Sequence, residues 1–107
     1  MSAGREQQTG VKPALSLRLY IVGEAPNSSR AVANLRAICR RLPAGCVDVE
    51  IVDILDAPLR ALEDGVLATP CLRRLAPPPP VTIIGDLSDH EQVLQTLGLA
   101  GWAEAAL

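Results

Sequence analysis

Three thiols, one imidazole and scattered carboxylates are the groups that chemistry would draw on in this 107-residue chain. Cys39, Cys46 and Cys71 are candidate nucleophiles or redox thiols, but no two stand as C-x-x-C, the spacing that favours a reactive thiolate. With one His in the whole chain, a zinc site lacks ligands, and an odd cysteine count does not read as a disulfide framework. All three read as small buried hydrophobes. His90, between Asp89 and Glu91, sits at a predicted helix start and reads as a solvated first-turn residue rather than a general base. Asp86 and Asp89 could share acid–base work, but helix capping accounts for both. No phosphate-binding loop, dinucleotide fingerprint or nucleophile elbow occurs. This inventory predicts no active site, no cofactor and no metal.

Charge and hydropathy narrow the class further. Twelve acidic and ten basic residues leave a net charge of −2, which gives no reason to expect nucleic acid or an anionic membrane as partner. Arg36, Arg40 and Arg41, and then Arg73 and Arg74, read as solvated faces. Hydrophobic residues make up 49% without any Phe, so the core must be Leu, Val, Ile and Ala. No apolar run approaches the ~20 residues that cross a bilayer. The opening MSAGREQQTGVKP has no apolar stretch of a secretory leader, so the expected location is cytoplasmic. The expected organisation is a flexible lead-in over 1–14, one domain over 15–99 and a short tail over 100–107 carrying Trp102.

The elements that would position these groups are clear in the first half. In LSLRLYIVG, Leu15, Leu17, Leu19 and Ile21 alternate with Ser16, Arg18 and Tyr20, which predicts a strand ended by Gly23. EAPNSSRAVANLRAICRRL predicts a helix capped by Asn27 or Ser28, with a stripe of Ala31, Leu35, Ile38 and Leu42. CVDVEIVDIL predicts a second strand, with Val47, Val49 and Ile51 on one face and Asp48 and Glu50 on the other. Strand, helix and strand within roughly 40 residues make a βαβ unit with parallel strands and a right-handed crossover. A short helix follows at DAPLRALEDG, with Asp56 as cap and Gly65 as stop.

The second half supports two readings. In LATPCLRRLAPPPPVTIIGD, Thr69-Pro70 suits a helix start, and Leu67, Cys71 and Leu75 fall four apart. A proline ahead of a short apolar run, then a turn and the β-branched VTII, equally describes a strand and hairpin. Pro77 to Pro80 force a break. In GDLSDHEQVLQTLGL, Ser88 and Glu91 form a capping box, and Gly98 can close the helix. Yet Val93, Gln95, Leu97 and Leu99 also alternate. The whole layout is α/β and thioredoxin-like, but the loop that would hold redox cysteines reads GEAPNSS, so the thiol chemistry is absent.

These stretches together resemble the KaiB family of clock proteins. LYIVGEAPNSSRAVANL, IVDILDAP and LEDGVLATPCLRRLAPPPPVTIIGDLSDHEQVL carry the resemblance over roughly residues 15–99. It implies a protein without catalytic activity of its own that binds KaiC, a hexameric ATPase, with KaiA or a SasA-like kinase as further partners. It also implies two folds. One is a ground state, βαββααβ, that assembles as a homotetramer or dimer; the other is a thioredoxin-like monomer, βαβαββα. The ground state in an oligomer is the expected arrangement. The alternative reading is a thioredoxin-like thiol oxidoreductase using a single cysteine such as Cys71.

Position by position, the resemblance places Arg30, Asp48, Glu50, Glu63 and Asp64 at the KaiC-binding surface. It places Pro70, Pro78, Thr96 and Gly98 where the fold would switch. The chain departs from the family's clock proteins at Glu50 and Gly65, where they carry Lys, and at Thr96 and Gly98, where they carry Gly and Asp.

Overall fold

A computed structural model describes residues 14–99; the lead-in and the tail with Trp102 lie outside the described residues, apart from Ala14. Seven elements follow in the order β1 (Leu15–Ile21), α1 (Pro26–Cys39), β2 (Val47–Asp53), α2 (Pro58–Glu63), β3 (Cys71–Ala76), β4 (Val81–Ile84) and α3 (His90–Thr96). They build one four-stranded sheet, ordered β2-β1-β3-β4, with β1 and β2 parallel and the other pairs antiparallel. This is the βαβαββα arrangement, where the sequence favoured the ground state. Thr69-Pro70 opens a strand rather than a helix: Pro70 is buried, and its carbonyl accepts from Gly85 N at 3.0 Å, which closes the base of the β3–β4 hairpin. The Thr69-Pro70, Ala76-Pro77 and Pro78-Pro79 bonds are cis.

Alternation along β1 divides the molecule into two layers. Leu15, Leu17 and Leu19 face α1 and α3, where they join Ala31, Leu35, Ile38, Leu42, Leu72, Leu87, Val93, Leu94, Leu97 and Leu99 in the main core. Each buried Leu, Ile or Val among them contributes about 1.5–3 kcal/mol relative to exposure. The expected helix stripe is therefore the one that packs. Tyr20 points to the opposite face and forms a second, smaller cluster with Val52 and Cys71 beneath Ile54, Ala57 and Val66. The short helix α2 covers that face.

Several local expectations are corrected. β2 is an edge strand, so Val49 and Ile51 remain exposed beside α1, and Val52 is its buried residue. Helix α1 starts earlier than its predicted caps: Ala25 is the N-cap and Pro26, with φ preset for a helix, takes the first position. Ser28 turns inward instead, and its Oγ accepts from Val22 N at 3.0 Å. Ala57, not Asp56, precedes α2, again because Pro58 takes the first helical position. Asp89, rather than Ser88, caps α3 by accepting from Gln92 N at 3.1 Å, while Ser88 N donates to Asp86 Oδ1 at 3.0 Å. His90 is half-buried, its Nε2 3.0 Å from Asn34 Oδ1, because α3 lies against α1. Arg73 and Arg74 belong to β3, inside the sheet, and are half-buried rather than solvated.

Candidate functional site

The flank formed by β2 and α2 carries a linked set of charged side chains. Glu50 Oε1 accepts from Arg18 Nε at 2.9 Å and from Arg60 Nη2 at 2.6 Å. Arg18 Nη1 lies 3.3 Å from Asp64 Oδ2, which accepts from the Tyr20 hydroxyl at 2.6 Å. The Arg73 guanidinium stacks 5.5 Å from the Tyr20 ring centroid and donates to the Asp64 carbonyl at 2.5 Å. Strand alternation puts these groups together: Arg18 pairs with Glu50 across the parallel ladder and with Arg73 across the antiparallel one. The helix thus lies on the sheet through Arg60 at one point and the Asp64 turn at another.

Electrostatics follow from that geometry. Hydrogen bonds from Arg60 and then Arg18 hold the Glu50 carboxyl down at about 2. Burial pushes the Tyr20 hydroxyl above its usual value. Glu50 and Asp64 are therefore engaged within the molecule, whereas Asp48 and Glu63 are exposed. Asp48 shares its strand face with Glu50, and Glu63 ends α2. Arg30 is not part of this group. It lies on α1, in the other layer, with its Nε 3.4 Å from Asp86 Oδ2 and an amino group on the Asn27 carboxamide oxygen. Arg18, Tyr20, Arg60 and Arg73 were not among the expected site residues; their signal was the polar alternation between the leucines of β1.

The cysteines are placed as packing groups. Cys71 is buried and burial pushes its thiol up; Cys39, half-buried, is raised for the same reason. Beside Cys39, a groove of about 380 Å3 runs between α1 and β2, lined by Val32, Leu35, Val49 and Ile51 with Arg36 and Arg40.

A family comparison matches the KaiB domain over residues 18–99. The circadian clock oscillator protein KaiB of Prochlorococcus marinus (strain NATL2A) is 47% identical over 83 residues, covering 78% of each chain. That of Nostoc punctiforme is 44% identical over 88 residues, covering 82% of this chain and 85% of its own. The chain belongs to the KaiB family. Its fold also matches the N-terminal domain of Synechococcus elongatus SasA, with a TM-score of 0.66 at 23% identity over 91% of this chain and 94% of that one. Mitochondrial thioredoxin 3 of Saccharomyces cerevisiae gives a TM-score of 0.65 at 14% identity, over 80% and 78%. The thioredoxin-like fold of this KaiB-family chain is thus independently supported. The residues tied to switching by family resemblance occupy ordinary structural places in it. Pro70 immediately precedes β3, Pro78 lies exposed between β3 and β4, Thr96 ends α3, and Gly98 follows at φ 77°, a left-handed value suited to glycine.

Proposed function

We propose that this KaiB-family chain is a non-catalytic regulator that binds a KaiC-type hexameric ATPase in a circadian or stress-related timing system. The domain-wide identity to named clock KaiB proteins carries the proposal. Asp48 and Glu63 supply exposed charge at the binding flank, Glu50 and Asp64 hold its shape through Arg18, and Arg30 contributes from α1. The thioredoxin-like arrangement is the partner-binding form; residues 66–99 rebuild, through Pro70, Pro78, Thr96 and Gly98, into an oligomeric ground state. A KaiA or a SasA-like kinase would compete for or join the same ATPase. Two packings can exchange when they differ by only a few kcal/mol, and a partner then selects the one it binds better.

The thiol oxidoreductase reading is weaker because the β1–α1 loop contains no Cys and Cys71 is buried with its thiol raised. The deciding experiment measures binding to the cognate ATPase hexamer in both nucleotide states, for the wild type and Arg30→Ala. Nucleotide-dependent binding weakened by Arg30→Ala, with unchanged circular dichroism, is expected. Unchanged affinity removes Arg30 from the site. Disulfide reduction that disappears in Cys71→Ala would overturn the regulator reading.

A further inference from the structure

The groove between α1 and β2 has apolar walls and a charged lip. Val32 and Leu35 line it from α1, and Val49 and Ile51 line it from β2. Strand alternation makes the β2 wall apolar: Val49 and Ile51 sit on the α1 side, while Asp48 and Glu50 take the opposite face, where Arg18 and Arg60 hold Glu50. Because β2 is an edge strand, no further strand covers this wall, and Val49 and Ile51 stay 37% and 40% exposed.

The charge on the lip has one sign. Arg36 and Arg40 stand one turn apart at the end of α1, both exposed and both lining the groove. Neither enters an ion pair among the described residues, whereas Arg41, next in sequence, pairs with Glu91 of α3 at 2.7 Å. No carboxylate lines the groove among the described residues. A second copy meeting this face across a two-fold axis would set these arginines against their own counterparts, which disfavours self-association there. Two unmatched guanidinium groups beside an apolar trough complement an anion with a hydrophobic body. The volume of about 380 Å3 lies toward the lower end of small-molecule sites, which run from about 300 to 1,000 Å3, and suits one short chain. We propose that this groove binds a small amphipathic monocarboxylate of the fatty-acid type, its chain along Leu35, Val49 and Ile51 and its carboxylate on Arg36 and Arg40. Apolar burial supplies the affinity, and the guanidinium forks set the preference for a carboxylate. The site lies across the sheet from the α2 flank and does not depend on the ATPase reading.

The test titrates the full chain with decanoate below its micelle concentration, followed by amide and methyl NMR, with decanol as the uncharged counterpart. Saturable shifts centred on Leu35, Val49 and Ile51 are expected, with decanoate bound about threefold to tenfold tighter than decanol at low salt. Arg36→Gln/Arg40→Gln should lose that preference and its salt dependence while still binding decanol. Val49→Ser should weaken both ligands about fivefold or more. All three positions are exposed, so each variant should keep the wild-type circular dichroism and melting temperature, and both are measured. Decanoate bound no better than decanol, or unaffected by loss of the arginines, refutes the anion site. Shifts scattered over the surface, or none below the micelle concentration, remove the groove as a ligand site. Changes at Val49 and Ile51 on dilution without ligand give the groove to a second copy, and cross-relaxation between Trp102 and the Ile51 methyls gives it to the chain's own end; either result overturns the proposal.

Discussion

Replacing Tyr20 by Phe isolates one bond in the β2–α2 flank. The ring is fully buried, so Phe keeps its packing with Val52 and Cys71 and its position under Arg73. What disappears is the hydroxyl that donates to Asp64 Oδ2 at 2.6 Å. A hydrogen bond to a charged group is worth about 1.5–3 kcal/mol. Asp64 keeps Arg18 at 3.3 Å, so the carboxylate is not left alone and the lower part of that range applies, about 1.5–2 kcal/mol. For a domain of this size, 1 kcal/mol moves the melting temperature by about 4–8 °C, giving a fall of roughly 6–16 °C. The assay is thermal and urea unfolding at neutral pH for wild type, Tyr20→Phe, Asp64→Asn and the double variant. The two changes should be strongly non-additive because each removes the same bond. Alkaline titration provides a second reading. The folded Tyr20 value lies above the unfolded one, so its contribution is complete below the unfolded value of 10.0 and is lost as pH rises through the folded value. Tyr20→Phe should lose less stability than wild type above that pH. A melting temperature within 2 °C of wild type, or simple additivity with Asp64→Asn, would refute the account of how α2 is held; the 2 °C limit corresponds to less than about 0.5 kcal/mol.

Two further outcomes follow from the same geometry. Glu50 titrates lower in the folded state, at about 2, than its ordinary 4.5, so its contribution is present above pH 4.5 and is lost as pH falls toward 2. Its side chain is 45% exposed, which limits the effect to less than about 1 kcal/mol, and Glu50→Gln should flatten the acid limb of stability by that amount in urea titrations. Ser28 is 2% exposed and its Oγ accepts from Val22 N, so Ser28→Ala should cost about 1–3 kcal/mol and accelerate amide exchange at Val22. Unchanged Val22 protection would show that the bond does not matter.

The first half of this fold was legible because its periodicities are undiluted. Leucines alternate through β1, the stripe of Ala31, Leu35, Ile38 and Leu42 repeats at helical spacing, and both sets meet in one core. β2 was legible as a strand but not as an edge, because Val49 and Ile51 look identical whether a neighbouring strand covers them or not. The caps failed for a local reason: Pro26 and Pro58 each took the first helical position, which moved the helix start away from the polar residues nearby. On the β2–α2 flank, the acidic members were named through resemblance, and the arginines and tyrosine that contact them emerge only through the sheet register.

CLRRLA resisted assignment because two things break its alternation at once. Leu75 falls where the β1 register shifts: Leu17 pairs with Arg74 and Ser16 with Ala76, so Leu75 is the extra residue of a bulge. Arg73 and Arg74 then put a charge on each face of a strand flanked by β1 and β4. Such charges are costly unless most of their hydrogen-bonding groups are met. Arg73 is met by the Tyr20 ring and the Asp64 carbonyl. Arg74 is met by the Leu97 carbonyl at the end of α3 and the Pro79 carbonyl in the hairpin turn, each at 2.8 Å, while its buried Nε has no partner among the described residues. The last carbonyls of a helix have no partner within the helix, so Arg74 and α3 satisfy each other. Apart from Pro79 in the turn that follows, none of these partners is near residues 71–76 in sequence. The strand is therefore a property of docked neighbours: lifting α3 strands Arg74, and lifting the turn after α2 strands Arg73. The same residues that made this segment unreadable make its strand form conditional on both helices being in place.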